Sequence, residues 1–198
     1  YPADNPKSRR SKSQNTNLKL QTIFKEIENE KTLALVSDAG TPCISDPGSL
    51  LVSKIKEKFG DDIQIISIPG PSAVTTALSG AGVPASDFLF LGFLPHKKGR
   101  ETLFKEISES ERTVAFYESP HRIIKTLESL KKHLGENRKI TIARELTKIY
   151  EQIISGTGEE LLEYFRQNPD KIQGEFVVLV PKKLSAYYFH SLVAGDKL

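Results

Sequence analysis

The chain holds a single cysteine, Cys43, so no disulfide can close within it, and a reducing compartment such as the cytoplasm is expected. Its four histidines are scattered and lack the paired spacing of a zinc site, so no metal is expected. No stretch approaches the roughly 20 apolar residues that cross a bilayer. The opening segment YPADNPKSRRSKSQNTN is too polar for a signal peptide, and a soluble protein away from membranes is expected. Net charge is also small: 28 Lys and Arg against 25 Asp and Glu give +3, which permits an anionic partner without demanding one. What is present is ordinary for a globular protein, with 38% hydrophobic and 27% charged residues over 198 positions. Collagen-like, disulfide-scaffold and wholly disordered classes are thereby excluded. The chain opens on Tyr1 rather than methionine, which points to a fragment.

Residues 1–17 carry no apolar periodicity and hold Lys7, Arg9, Arg10 and Lys12, the pattern of a mobile basic arm. Leu20, Ile23, Phe24 and Ile27 share one helical face, ending near Asn29. Leu33–Ser37 is a short continuous apolar run that stops at a Gly/Pro-rich loop, as a buried parallel strand does. A helix through Leu50, Leu51, Ile55 and Phe59 follows, then a second strand at Ile63–Ile68, the turn Pro69-Gly70-Pro71-Ser72 and a small-residue helix through Ala73, Ala77 and Leu78. This alternation predicts an α/β domain over 18–86 whose ligand lies beyond the carboxyl ends of the strands. After Gly80–Pro84, strands are predicted at Phe88–Gly92, Thr113–Tyr117, Ile140–Arg144, Gln152–Ser155 and Phe176–Val180. Helices are predicted at Thr102–Ser108, Arg122–Leu134 and Gly158–Gln167. Two strands in succession break the βα alternation, so 87–181 is expected to be a mixed-sheet α/β domain, with a tail at 182–198.

Four segments could carry chemistry. In SDAGTPCISDPG (37–48), a strand end meets Asp38, Gly40 and Pro42, residue types that let backbone amides approach a ligand. Its Ser45-Asp46-Pro47 reads as a helix start, with Asp46 as N-cap and Pro47 in the first turn. Ala39 stands where a DxDGT phosphatase needs an acid, and neither a P-loop nor a GxGxxG spacing is present. Tyr117–Arg122 ends a strand and opens a helix, with Ser119 and Pro120 in cap positions and His121 and Arg122 in the first turn. Ala143–Lys148 places charges of both signs just past a buried strand. The run His96, Lys97, Lys98, Gly99, Arg100 lies in a loop where phosphates could dock, with strong salt dependence. Thr157-Gly158-Glu159-Glu160 fits a structural capping box.

Taken in order, SDAGTPCISDPG, PGPSA (69–73), FLFLGFLPHKKGR (88–100), FYESPHR (116–122), ARELTK (143–148) and GE (174–175) resemble the tetrapyrrole methylase superfamily. Within it they look like the bacterial small-subunit (16S) ribosomal RNA cytidine 2′-O-methyltransferases. The resemblance implies a class III methyltransferase fold of two α/β domains, with S-adenosyl-L-methionine in the cleft between them and the first domain incomplete. The family's opening strands, its Gly-Asn loop and its AEDTR strand end have no counterpart here. Carried over position by position, the cofactor would meet Asp38, Gly40, Thr41, Pro42, Ile44, Pro69, Gly70, Pro71 and Ser72. Ser119, Pro120 and Gly174 would meet it from the second domain. A homodimer acting on ribosomal RNA or the assembled small subunit in the cytoplasm is implied, without a metal.

Methyl transfer to a ribose 2′-oxygen asks the protein to align the reacting atoms at about 3–3.5 Å and to relieve the hydroxyl of its proton. Glu145 is the carboxylate candidate, with Arg144 orienting it and Lys148 holding a phosphate or the developing oxyanion. His96, Lys97, Lys98, Arg100, His121 and Arg122 are the candidate RNA contacts. Two other readings stand beside this one: a small-molecule methylase of the tetrapyrrole type, and a non-catalytic remnant that binds RNA or ribosomes.

Overall fold

The structure, a computed structural model, describes residues 18–182; the expected arm at 1–17 and the tail beyond 182 lie outside the described residues. The chain divides into two compact units between Gly70 and Pro71.

In the first unit, helix α1 spans 18–28 and α2 spans Gly48–Phe59. Their contact is aromatic: Phe24 is buried and meets the Phe59 ring edge-on at 5.5 Å, with Lys58 Nζ 4.5 Å above the Phe24 ring. The strands expected at Leu33–Ser37 and Ile63–Ile68 are not formed. Val36 is 81% exposed and Ile68 74%, with Leu33, Leu35, Ile65 and Ile66 also exposed. A ladder needs a hydrogen-bonded neighbour as well as an apolar run, and no described residue supplies one to either segment. At the start of α2, Asp46 Oδ1 accepts from the Gly48 amide at 2.8 Å and the Cys43 amide at 3.1 Å. Pro47, expected in the first turn, is itself the N-cap residue, so Asp46 supports the helix from one position earlier than the sequence suggests.

The second unit is built on a five-stranded mixed sheet of order β1-β2-β5-β3-β4. Its strands are β1 (Phe88–Phe93), β2 (Thr113–Glu118), β3 (Lys139–Arg144), β4 (Gln152–Thr157) and β5 (Phe176–Val180). β1 and β2 run parallel; the β2–β5, β5–β3 and β3–β4 pairs are antiparallel. Side chains alternate between faces along each strand, which sorts the core into two layers. Val114, Phe116, Ile140, Ile142, Phe176 and Val178 meet α4 (Arg100–Glu109), α5 (Ile123–Leu134) and α6 (Gly158–Gln167) through Phe104, Ile107, Leu127, Leu130, Leu161 and Phe165. On the opposite face Ala115, Ala143, Val177 and Leu179 pack with Val74, Ala77 and Leu78 of α3 (Ala73–Gly80). The small side chains Ala77, Ala115 and Ala143 allow α3 to sit close to the sheet. This helix, expected with the first domain under a boundary at 86, therefore belongs to the second unit.

Two helix starts separate sequence rules that held from one that did not. Thr157 and Glu160 form the reciprocal capping box of α6. Ser119 does not cap α5 with its side chain; its carbonyl accepts from the Arg122 and Ile123 amides, and the helix begins at Ile123.

Candidate active site

Strand directions bring the chemical segments of the second unit to one edge of the sheet. β2 and β3 both run antiparallel to β5, so their carboxyl ends emerge together, beside the carboxyl end of β1 and the amino ends of β4 and β5. Glu118, Phe176, Arg144 and Gln152 are neighbours in register across four strands. The loops carrying His96, Lys97 and Lys98, then Ser119, Pro120 and His121, then Glu145 and Lys148, and the Gly174–Glu175 lead into β5 all leave from that edge.

Glu145 is held from three sides. Its amide donates to the Glu175 carbonyl at 3.1 Å, and its Oε1 accepts from the Glu175 amide at 3.0 Å and Lys148 Nζ at 2.9 Å. Lys148 also pairs with Glu175 Oε2 at 3.1 Å. Hydrogen bonds from Lys148 and the Glu175 amide hold the Glu145 carboxyl below its ordinary value, and the same pair of carboxylates holds the Lys148 ammonium above its own. A carboxylate so stabilised is a weak proton acceptor. The backbone is strained here: Glu145 and Thr147 have φ of 50° and 64°, conformations that cost non-glycine residues about 1–3 kcal/mol each. The Thr147 amide donates to Glu151 Oε2 at 2.5 Å, which closes the loop.

Arg144, expected to orient Glu145, adds its charge to the causes that lower that carboxyl and bonds to β4 through its side chain. It is 6% exposed and its Nε donates to Gln152 Oε1 at 3.0 Å, while Nη1 has no hydrogen-bond partner among the described residues. Gln152 in turn donates to the Tyr164 hydroxyl at 2.6 Å.

The basic candidates divide into two kinds. His96, Lys97, Lys98 and His121 are exposed. Arg100 and Arg122 are largely buried and converge on Glu118, whose side chain is wholly inaccessible. Arg122 Nε lies 2.7 Å from Glu118 Oε1 as an ion pair rather than an aligned hydrogen bond; Arg100 Nη2 lies 3.4 Å from Oε2. Thr126 Oγ1 donates to Oε2 at 2.7 Å and the Ser119 amide donates to Oε1 at 2.8 Å. Sequence reasoning quoted Glu118 within FYESPHR but did not single it out. A carboxylate in an otherwise apolar strand was the available signal.

The cofactor candidates fall in both units. In the first, the loop after Ser37 is tightly wound: Ser37 Oγ donates to the Gly40 carbonyl at 2.8 Å, and Gly40, Cys43 and Ser45 all have positive φ. Asp38, Gly40 and Ile44 are exposed, while Thr41 and Pro42 are half-buried. A Cβ on Gly70 would lie 3.2 Å from Thr41 Oγ1, so the Pro69-Gly70 turn abuts this loop. In the second unit Pro71 is exposed, and Ser72, Ser119, Pro120 and Gly174 are half-buried. The hydrogen that Gly174 carries in place of a side chain faces the Glu145 carboxyl, which a Cβ would overlap. No group of three or more potential metal ligands occurs among the described residues.

Residues 1–162 match the family described as Tetrapyrrole (Corrin/Porphyrin) Methylases. The "Ribosomal RNA small subunit methyltransferase I" of Escherichia coli O157:H7 is 42% identical over 167 residues, 84% of this chain and 57% of that protein. The protein of the same name in Halalkalibacterium halodurans is 48% identical over 160 residues, 80% of this chain and 53% of that protein. The chain thus spans little more than half the length of these relatives. Among solved structures, a cobalamin biosynthetic enzyme, cobalt precorrin-4 methyltransferase, aligns with TM-score 0.60 at 16% identity, covering 82% of this chain and 69% of that one. The methyltransferase CobJ aligns with TM-score 0.60 at 21% identity, covering 84% and 72%. Strand order, ordered segments and family match agree, and the chain belongs to the tetrapyrrole methylase family, whose mixed α/β fold it shares.

Proposed function

We propose that the protein is an S-adenosyl-L-methionine-dependent methyltransferase that acts on the ribose 2′-oxygen of a cytidine in small-subunit ribosomal RNA. The observation that carries the substrate class is the sheet edge. Exposed Lys97 and Lys98 after β1 and Lys148 after β3 leave the same edge, cations suited to a phosphate backbone, and the exposed His96 and His121 lie in loops of that edge. Identities of 42% and 48% to proteins named for ribosomal RNA methylation support the same choice.

The residues present suit the cofactor. Asp38 offers an exposed carboxylate that makes no hydrogen bond with a described residue, an acceptor for hydroxyl or ammonium donors. In the first unit Gly40, Thr41, Pro42, Ile44, Pro69 and Gly70 are the further candidates of this wound Gly/Pro loop and the turn against it, and in the second unit Pro71, Ser72, Ser119, Pro120 and Gly174 are candidates of their own. When bound, the cofactor supplies an electrophilic methyl group. Glu145 holds Lys148 at the edge, and Lys148 meets a phosphate or the 2′-oxygen, whose proton passes to solvent as the oxygen takes the methyl group. Arg144 supports the β3–β4 loop through Gln152.

A homodimer in the cytoplasm belongs to this reading. β1, one of the two edge strands, leaves Phe88, Leu89 and Phe93 exposed, which supports self-association. No described helix is long and apolar enough to cross a membrane. Transfer of labelled methyl from S-adenosylmethionine to undermethylated small subunits tests the proposal. Labelling of a corrin or porphyrin with no labelling of RNA overturns it in favour of a small-molecule methylase. Absence of heat in calorimetry at millimolar cofactor overturns it in favour of a non-catalytic RNA-binding remnant.

A further inference from the structure

The basic loop between β1 and α4 is tied to one buried carboxylate at its start, where the adjacent Leu94 and Pro95 carbonyls meet arginines paired with Glu118, and at its end, where Arg100 opens α4. Arg122 reaches from Glu118 to the Leu94 carbonyl, its Nη1 donating at 3.0 Å. Arg100 reaches from Glu118 to the Pro95 carbonyl, its Nη1 also donating at 3.0 Å, while its Nη2 donates to Thr126 Oγ1 at 2.6 Å. The loop then turns through the Arg100 amide, which donates to the Lys97 carbonyl at 3.3 Å, and through Gly99 at φ 80°. Between the two anchors His96, Lys97 and Lys98 are exposed, and neither lysine pairs with a carboxylate among the described residues. Two guanidinium groups therefore spend their donors on the backbone of the loop and on Glu118, leaving the remaining cations of the segment facing water.

Stability alone does not call for this arrangement. Removing a carboxylate and two guanidinium groups from water is costly, and apolar side chains of similar volume commonly pack as well. What the charged network adds is direction, because a planar guanidinium fixes the position of each carbonyl it meets. We propose that Glu118 is a positioning residue that holds loop 95–99 in a preformed, phosphate-receiving conformation. It does so through Arg100 and Arg122, which do not themselves contact the RNA. This rests on the RNA reading above for the identity of the anion, and it assigns the two arginines a different task from the one the sequence suggested.

Two readouts on the full chain test it. The first is site-selective tryptic cleavage under native conditions, comparing the Lys97 and Lys98 bonds with the bond after Lys148, which lies in an exposed loop outside the network. Glu118→Gln is expected to raise cleavage after Lys97 and Lys98 at least tenfold relative to cleavage after Lys148. Equal acceleration at all three sites, or none, overturns the proposal, because the carboxylate then stabilises the unit generally or not at all. Arg100→Lys keeps the charge but loses the reach to Pro95; it is expected to shift the same ratio in the same direction, and an unchanged ratio overturns the clamp even where Glu118→Gln does not fold. The second readout is the salt dependence of binding to small-subunit ribosomal RNA. Two lost lysine–phosphate contacts lower the slope of log K against log salt by about 1.4, and a slope equal to that of the native chain overturns the positioning role. Failure of the native chain to bind RNA at all overturns the RNA reading itself, a result distinct from the cleavage ratio, which needs no RNA.

Discussion

The Glu145 carboxyl lies over Gly174, in the space that any other side chain at position 174 would fill. That contact joins the loop after β3 to the lead into β5, and the reciprocal hydrogen bonds between Glu145 and Glu175 depend on it. Gly174 has φ 85°, so an added Cβ there meets both the left-handed backbone penalty and the carboxyl. Gly174→Ala is expected to destabilise the second unit by more than the about 1–2 kcal/mol of the backbone term alone. Urea unfolding measures it; a loss of only about 1–2 kcal/mol, the backbone cost by itself, would show that Glu145 moves aside freely.

The same contact makes a prediction about pH. Because Lys148 and the Glu175 amide lower the Glu145 value in the folded protein, its contribution to stability is complete above the unfolded value of about 4.3 and is lost as pH falls through the lowered one. For Lys148, whose value is raised, the contribution is complete below about 10.4 and is lost as pH rises through the raised one. Glu145→Gln is expected to flatten the acid limb of stability below about pH 4.3 and leave pH 6–8 unchanged in slope. Parallel acid limbs for variant and native protein would contradict this.

Activity offers a separate check on the edge. Glu145→Gln and Lys148→Ala are each expected to reduce RNA methylation at least tenfold, and the pH profile of the native rate is expected to show no inflection near neutrality from Glu145. Rates within twofold of native for both variants would remove them from the proposed site.

The α6 start gives a prediction about stability alone. Thr157 and Glu160 satisfy each other's backbone amides. Thr157→Ala is expected to cost about 0.5–2 kcal/mol. Addition of Glu160→Ala should cost less than its single effect, because both changes break one motif. Full additivity in chemical denaturation would count against the reciprocal cap.

Buried and exposed apolar positions should differ sharply in their response to substitution. Phe104 and Phe165 are fully buried, and either change to Ala is expected to cost about 3–5 kcal/mol. Val36 is 81% exposed, and Val36→Ser is expected to stay within about 0.5 kcal/mol. A large loss at Val36 would show that the segment is covered.

Much of the second unit was legible in order and type of element. The runs at Thr113–Tyr117, Ile140–Arg144 and Phe176–Val180 became β2, β3 and β5, because a strand buried on both faces reads as continuous apolar sequence. The runs at 33–37 and 63–68 read the same way and formed no ladder, since an apolar run reports only half of what a strand requires. The loop segments were legible as unusual, and their residue types pointed to ligand contact. Which of their charged side chains face solvent was not legible: Arg100 and Arg122 look like their neighbours Lys98 and His121 until Glu118 is placed beneath them.

By itself the sequence determined the family, the succession of helices and strands after Phe88 and the segments that carry chemistry. These depend on local periodicity, turn residues and ordered motifs. Only the tertiary structure decided that β5 inserts between β2 and β3, which aligns Glu118, Phe176, Arg144 and Gln152 at one edge. It alone assigned α3 to the second unit, gave the Arg144 Nε to Gln152 and made Glu118 the centre of a buried pair of arginines. The strand pairings join residues tens of positions apart, and even the shorter contacts of Arg144 with Gln152 and of Arg122 with Glu118 are set by sheet register and shared burial rather than by a local pattern.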